Sequence, residues 1–311
     1  MDQVLIFANP ISGRGRGRIV ATALRAMLAR QGFDAELILE PPSKFAALSA
    51  GQHPRAAIAI GGDGTLREVA GWALRSLTSA GELPCPLLVV PMGTANLMGR
   101  HLGIRRHRLG GEEEIDAAIQ NPRIIYLDAA RANDGLFLLV AGVGLDGAIV
   151  HEMDRTRRGP ITRLSYILPA LKAVATYTFP PITVTIDGIR VWNQKPALAF
   201  VGNVAEYGTG FPILPDARPD DGVLDVCVLP CASIADLPHR FLEAATGDHV
   251  TAEGVIYAKG KNILIESNIP IPVEVDGEAA GFTPLKIEML PTRIPFIVGA
   301  RSVGSLAMGE L

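Results

Sequence analysis

Hydrophobic positions follow two regimes along the chain. In the first third, short unbroken apolar runs alternate with stretches of helical spacing. Val4-Leu5-Ile6-Phe7-Ala8, Ala56-Ala57-Ile58-Ala59-Ile60 and Pro86-Leu87-Leu88-Val89-Val90-Pro91 predict buried strands, and Glu36-Leu37-Ile38-Leu39-Glu40 predicts one more. Val20, Leu24, Met27 and Leu28 recur at helical spacing and predict a helix over 18–31, ended by Gly32. A second main helix is predicted over 65–79, with Thr65 and Glu68 as a capping box at its start. Strand and helix in alternation predict a parallel α/β sheet with ligand loops at the carboxyl ends of its strands.

Near residue 122 the rhythm changes. Ile124-Ile125-Tyr126-Leu127 and Leu136-Phe137-Leu138-Leu139-Val140 flank Asn133-Asp134-Gly135, a hairpin signal. A helical stretch follows at 160–178, then strands at 182–187, 197–203, 223–229, 263–266, 271–275 and 285–290. Asp187-Gly188 marks another hairpin, and a helix is expected over 233–245. The expected organisation is an α/β domain over 1–123 and an antiparallel β-sandwich over 124–293. The tail at 294–311 would return to the first domain.

At 311 residues the chain is long enough for two domains. Its net charge of −3 carries no nucleic-acid signature. Residues 1–123 hold 14 Lys and Arg against 11 Asp and Glu, and the remainder holds 15 against 21. The basic first part suits an anionic ligand. Cys85, Cys227 and Cys231 form neither a disulfide framework nor a zinc pattern, and the odd count suits a reducing cytosol. Met1-Asp2 leads straight into a strand, with no signal-peptide pattern. No apolar stretch reaches ~18 residues, so no membrane span is expected. The expected location is the cytoplasm.

The chemistry gathers at the strand ends. Gly61-Gly62-Asp63-Gly64-Thr65 directly follows a buried strand. Glycines let the backbone approach a polyphosphate, and the next helix points its free N–H groups at the anion. Asp63 adds a carboxylate able to orient a hydroxyl or a Mg²⁺-bound water. Asn9-Pro10-Ile11-Ser12-Gly13-Arg14-Gly15-Arg16-Gly17 imitates a dinucleotide fingerprint, but Arg18 stands where its last glycine belongs. It reads instead as a cationic phosphate loop. No G-x-x-x-x-G-K-[ST] occurs, which excludes a P-loop kinase. Pro91-Met92-Gly93-Thr94-Ala95-Asn96 offers a second wall for a nucleotide cleft. Asp276-Gly277-Glu278 reads either as a plain hairpin turn or as paired acids for general-base work. The acidic loop at 214–225 reads either as a capped turn or as a hard-cation site.

Taken in order, these pieces resemble the diacylglycerol kinase catalytic-domain family, in its soluble bacterial lipid-kinase branch related to sphingosine and ceramide kinases. The resemblance rests on N-P-x-S-G-x-G at 9–15, G-G-D-G-T at 61–65 and G-T-A-N at 93–96. It continues with G-V-G-L-D at 142–146, P-D-A-R-P-D-D-G-V-L-D at 215–225 and D-G-E at 276–278. It implies an NAD kinase- and phosphofructokinase-like α/β domain joined to a β-sandwich, and ATP with Mg²⁺ as cofactors. By resemblance Asn9, Pro10, Ile11, Ser12, Gly13, Gly61, Gly62, Asp63, Gly64, Thr65, Leu66, Arg67 and Thr94 line the ATP site. Glu278 sits where the family's proton acceptor is assigned, and Asp276 competes for that role. Asp221 through its side chain, with Arg218 and Val223 through their carbonyls, would hold a structural Mg²⁺. Two departures matter. Leu97 replaces a frequent aspartate of a Mg²⁺–water network, leaving only Asp63 and Asp128 of that set, and Arg67 stands where Asn is common.

The implied acceptor is a hydroxyl of a membrane lipid: diacylglycerol, ceramide or a sphingoid base. Leu97 tilts the choice toward the sphingoid types. Docking on an anionic inner-membrane surface would use the basic run Arg100–Arg108 and a helix over Arg155–Tyr177. That helix carries Arg155, Arg157, Arg158 and Arg163, with Ile161, Leu164, Ile167, Leu168 and Leu171 on one face. No nucleic-acid partner is expected, and the chain admits a homodimer. Rival readings are an NAD kinase and a non-catalytic ATP-binding regulator.

Overall fold

The structure is a computed structural model and describes residues 2–49, 51–77, 81–104, 112–156, 167–208 and 210–298. Seventeen strands, β1 to β17 in chain order, and the helices between them divide into two compact units. One comprises 1–127 with 292–311, and the other 128–291.

The first unit contains β1 (Gln3–Ala8), β2 (Asp34–Ile38), β3 (Ala56–Gly61), β4 (Leu87–Pro91) and β5 (Arg123–Leu127). The second contains β6 (Ala130–Ala132), β7 (Gly135–Phe137), β8 (Val140–Val143), β9 (Pro181–Ile186), β10 (Ile189–Gly202), β11 (Leu224–Pro230), β12 (Ile256–Gly260), β13 (Asn262–Glu266), β14 (Pro272–Val275), β15 (Glu278–Phe282) and β16 (Leu285–Met289). Finally β17 (Ile294–Val298) returns to the first unit.

The first sheet runs β2-β1-β3-β4-β17-β5. Its strands are parallel except β5, which runs antiparallel to β17. All six residues of β3 are buried, as a parallel strand covered on both faces requires. On one face Val20, Leu24, Met27 and Leu28 of the Gly17–Arg30 helix pack with Ile115 and Ile119 of the Glu112–Gln120 helix. Elsewhere in this unit Phe7 lies 4.8 Å from Trp72 of the Asp63–Arg75 helix, and Phe45 closes on both rings.

Three expectations are corrected in this unit. The second main helix starts at Asp63 and ends at Arg75, with Gly62 as an uncapped N-cap. Thr65 therefore lies inside the first turn instead of capping it, and only a residue without Cβ at Gly61 leaves room for its side chain. The second strand lies two residues earlier than read, at Asp34–Ile38. Residues 124–127 do not pair across Asn133-Asp134-Gly135. Ile125 faces Phe296 of β17, and the 133–135 hairpin instead joins the short β6 and β7.

The second unit is antiparallel throughout. β10 is long and bent: Ile189–Pro196 pairs with β9 through two register shifts, and Ala197–Gly202 pairs with β8 and β11. It thereby links a sheet β15-β14-β8-β10-β11-β12 to a sheet β10-β9-β13-β16-β6-β7. Val143, Val184, Val201, Val226, Ile265, Val273 and Ile287 meet in one core. Asp187 and Gly188 adopt positive φ in the expected hairpin. The expected 233–245 helix is a short turn at Ile234–Asp236, capped by Ser233 and Asp236, followed by a helix over Leu237–Thr246. Of the expected 160–178 helix, Ile167–Thr176 is seen, and 160–166 lies outside the described residues. A helix over Leu145–Thr156 was not anticipated; Arg155 belongs to it and pairs with Glu152 at 2.8 Å. Arg157, Arg158, Ile161, Arg163 and Leu164 lie outside the described residues, as do Arg105, Arg106, His107 and Arg108.

Candidate functional site

Three loops leave the carboxyl ends of adjacent strands in the first unit. After β1, the Asn9 carboxamide accepts the Ile11 N–H at 3.1 Å, and the Asn9 carbonyl accepts the Ser12 hydroxyl at 2.8 Å. Gly13, Arg14 and Gly15 then take positive φ. A Cβ at Gly13 would run into Met92, which follows β4. After β3 come Gly61, Gly62, Asp63 and Gly64. After β4 comes the turn through Gly93 to Asn96. Gly62 and Gly93 pass back to back, and a Cβ on Gly93 would stand 2.7 Å from the Gly62 Cα.

Asp63 ties two of these loops together. Its two carboxylate oxygens accept the backbone N–H groups of Leu97 at 3.0 Å and Met98 at 3.1 Å. It thus caps the short Leu97–His101 helix. Asn96, at φ 50, braces the same turn by bonding both Gly93 N and Gly93 O. Burial pushes the Asp63 carboxyl up from its ordinary value, against the downward pull of those backbone N–H groups. Thr94 and Pro10 are exposed, Arg67 is half-buried, and Ile11 is 74% exposed. Leu66 is buried in the core of the unit, so only its backbone can face a ligand.

In the second unit, Asp276 and Gly277 make the two-residue turn between β14 and β15, both at positive φ. The Asp276 carboxylate accepts the Leu138 N–H at 3.1 Å and the Leu139 N–H at 2.8 Å. Glu278 is exposed at the start of β15. The two acids of the motif therefore have different surroundings: Asp276 fastens the turn to the segment before β8, and Glu278 faces outward.

A pair of acids that sequence reasoning gave no role stands beside this turn. Glu274 of β14 is fully buried, and its Oε2 accepts the Gly277 N–H at 2.8 Å. Asp146, at the start of the Leu145–Thr156 helix, accepts a hydrogen bond from the Tyr207 hydroxyl. The two carboxyls face each other beside Gly142, and burial pushes both above the ordinary carboxylate range. The signal in the sequence was slight. Glu274 stands between two valines of a strand covered on both faces, a place for a third valine.

The acidic loop is already internally compensated. Asp221 Oδ1 accepts the Val223 N–H at 3.2 Å, and its Oδ2 meets Lys259 Nζ at 3.1 Å. Lys259 also meets the buried Asp225 at 3.1 Å and the Asp216 carbonyl at 3.0 Å. The Arg218 side chain pairs with Asp220 at 3.3 Å. The hard carboxylate of Asp221, with the carbonyls of Arg218 and Val223, has the donor chemistry Mg²⁺ takes, and the cation would share Asp221 with an ammonium. The Asp128 carboxylate accepts the Gly222 N–H at 2.6 Å, which secures the same loop.

Two family models match the chain: the diacylglycerol kinase catalytic domain over residues 3–124, and the YegS C-terminal NAD kinase beta sandwich-like domain over 139–298. Diacylglycerol kinase of Staphylococcus carnosus is 26% identical over 284 residues, covering 90% of this chain and 89% of the relative. Diacylglycerol kinase of Staphylococcus aureus is 28% identical over 227 residues, covering 73% of this chain and 69% of the relative. A crystal structure of a diacylglycerol kinase from Bacillus anthracis superposes with a TM-score of 0.71 at 24% identity, covering 96% of this chain and 97% of that one. An Archaeoglobus fulgidus NAD kinase solved with ATP shares the fold at a TM-score of 0.53 and 13% identity, over 98% of each chain. With both domains matched in order and the motif loops at the strand ends, the chain belongs to the diacylglycerol kinase catalytic-domain family, with a YegS-type C-terminal β-sandwich domain.

Proposed function

We propose that this protein transfers the γ-phosphate of ATP to a hydroxyl of a membrane lipid. The observation that carries the proposal is the set of three interlocked loops at the ends of β1, β3 and β4. Their Gly13, Gly62 and Gly93 lack the Cβ that would keep the loops apart, and the glycine-rich backbone so gathered at the strand ends suits close approach of a polyphosphate. Gly61 to Gly64 and Gly13 hold the phosphates through backbone N–H groups, while Asn9, Pro10, Ile11 and Ser12 shape the loop that presents Gly13. Arg67 and the exposed Arg14 and Arg16 add positive charge, and Thr94 adds a hydroxyl. Asp63 fixes the mutual position of the second and third loops.

In the second unit, Glu278 takes the proton from the acceptor hydroxyl, and Asp276 anchors the turn that carries it. The oxygen then attacks the γ-phosphate in line, and positioning with charge neutralisation provides most of the rate. Mg²⁺, when bound with ATP, would supply neutralising charge on the phosphates. Asp63 is the nearest candidate in the first unit to orient its water shell, and Arg218, Asp221 and Val223 are the candidate structural ligands.

No described helix is long and apolar enough to cross a membrane. The lipid would therefore be reached from a bilayer surface, with cationic segments on anionic headgroups. The deciding experiment offers γ-labelled ATP to vesicles holding diacylglycerol, ceramide or a sphingoid base, with soluble NAD in parallel. Label in one chloroform-soluble product supports the reading and names the acceptor. Label in NADP would instead give the protein to the NAD kinases. Bound ATP with no transfer to any acceptor would favour the regulator.

A further inference from the structure

Two carboxyl groups buried together without a cation between them call for an explanation. Each has one oxygen with an outside donor: the Tyr207 hydroxyl on Asp146 Oδ1, and the Gly277 N–H on Glu274 Oε2. The other oxygen of each, Asp146 Oδ2 and Glu274 Oε1, is buried and meets no N–H or O–H donor. Both of these oxygens crowd the same point, where a Cβ of Gly142 would stand. Two ionised carboxylates cannot share so dry a place, and a single proton turns their repulsion into a hydrogen bond.

The setting is rigid. The helix carrying Asp146 lies directly on β14, and a Cβ at Gly147 would strike the Pro272 carbonyl. His151 of that helix adds a bond between its Nε2 and the Val273 carbonyl at 3.0 Å. The other titratable groups on the surrounding elements include Tyr207, Glu206, Tyr177, His151, Asp154, Asp276 and Glu278. Glu152, Arg155 and Lys172 pair among themselves. Among the described residues, no Lys or Arg is bonded to either acid.

We propose that Asp146 and Glu274 hold one proton between them and together position the Asp276-Gly277-Glu278 turn for removal of the acceptor proton. The proposal rests on the lipid-kinase reading for its catalytic part. The protonated pair keeps Glu274 Oε2 on the Gly277 N–H. A second ionisation would drive the carboxylates apart and release that amide. Both act through the Gly277 amide, so both are positioning residues.

The test combines hydrogen exchange at residues 276–278 with steady-state kinetics of Glu274→Ala, Glu274→Gln and Asp146→Asn. Glu274→Ala should speed exchange of the turn and lower kcat on the order of 10- to 100-fold, with KM for ATP nearly unchanged. Glu274→Gln keeps an acceptor for Gly277 and brings its own N–H for Asp146. It should restore slow exchange, recover kcat at neutral pH and lack the alkaline fall expected of the unmodified protein. Asp146→Asn should behave like Glu274→Gln. Unchanged exchange in folded Glu274→Ala overturns the proposal. So does faster exchange with undiminished kcat, or a glutamine variant as poor as the alanine one. Failure of the unmodified protein to phosphorylate any lipid sinks the lipid-kinase reading and the catalytic part with it. The exchange data, which need no acceptor, still decide whether the pair holds the turn.

Discussion

At the scale of single residues, the two acids of the D-G-E turn separate by what their oxygens already do. Asp276 spends both oxygens on backbone N–H groups of Leu138 and Leu139, whereas Glu278 is exposed. Glu278→Gln should lower turnover by about 10²- to 10⁴-fold while the protein stays folded, as expected for a lost general base. Asp276→Ala should cost roughly 1.5–3 kcal/mol in denaturant melts, because two charge-assisted bonds go. Equal stability of the two variants would reverse these assignments. The buried pair predicts a pH dependence whose sign follows from linkage. Asp146 is pushed up to about 6 and Glu274 also upward, so the folded chain retains a proton that the unfolded chain releases. The stabilisation is whole below the ordinary carboxylate value of about 4 and is lost as pH rises through the folded values. Melting temperature of the unmodified protein should therefore fall from pH 5 to pH 8 more than that of Glu274→Gln.

At the scale of elements, the glycine loops behave as one interlocked piece. Gly93→Ala would place a Cβ 2.7 Å from the Gly62 Cα and 2.8 Å from Asn96 Oδ1, backbone on one side and a fixed side chain on the other. ATP affinity by calorimetry should drop at least ~10-fold, comparable to losing one good phosphate contact. Gly71 supplies the contrast. It lies inside the Asp63–Arg75 helix with nothing within 4 Å of its Cβ position, so Gly71→Ala should stabilise the protein by about 0.5–1 kcal/mol. The apolar runs at 4–8, 56–60 and 86–91 were legible because strands buried on both faces admit little else. The partner of 124–127 was not, because β5 meets a strand some 170 residues later and nothing local distinguishes it from a hairpin arm. The Asn133-Asp134-Gly135 signal was sound. It served β6 and β7, each only three residues long and too short for a periodic pattern. The helix start was misread because Thr65 and Glu68 match a capping box, while Asp63 is held by a contact 34 residues away. Asp63 could be singled out from the glycines around it, and Asp276 and Glu278 from the family resemblance. Glu274 could not, because its meaning lies in a contact with a helix 128 residues upstream.

At the scale of the whole molecule, the second unit is a contiguous segment with its own core, inserted into the first. Residues 128–291 expressed alone should melt cooperatively, whereas 1–127 alone should not, since β17 stands between β4 and β5. A cooperative melt of 1–127 would remove that expectation. Vesicle flotation of the full chain should rise with anionic lipid and fall with salt, as expected for cationic segments on a charged leaflet. The place of β17 has a further consequence during synthesis. All three glycine loops lie before residue 100, yet the sheet that aligns them lacks an inner strand until residue 298 has been made. Meanwhile β4 and β5 present raw edges that invite pairing with other chains. At ~5–20 residues per second, that exposure lasts on the order of ten seconds or more. A chain broken off within the sandwich therefore never completes the sheet of the first unit.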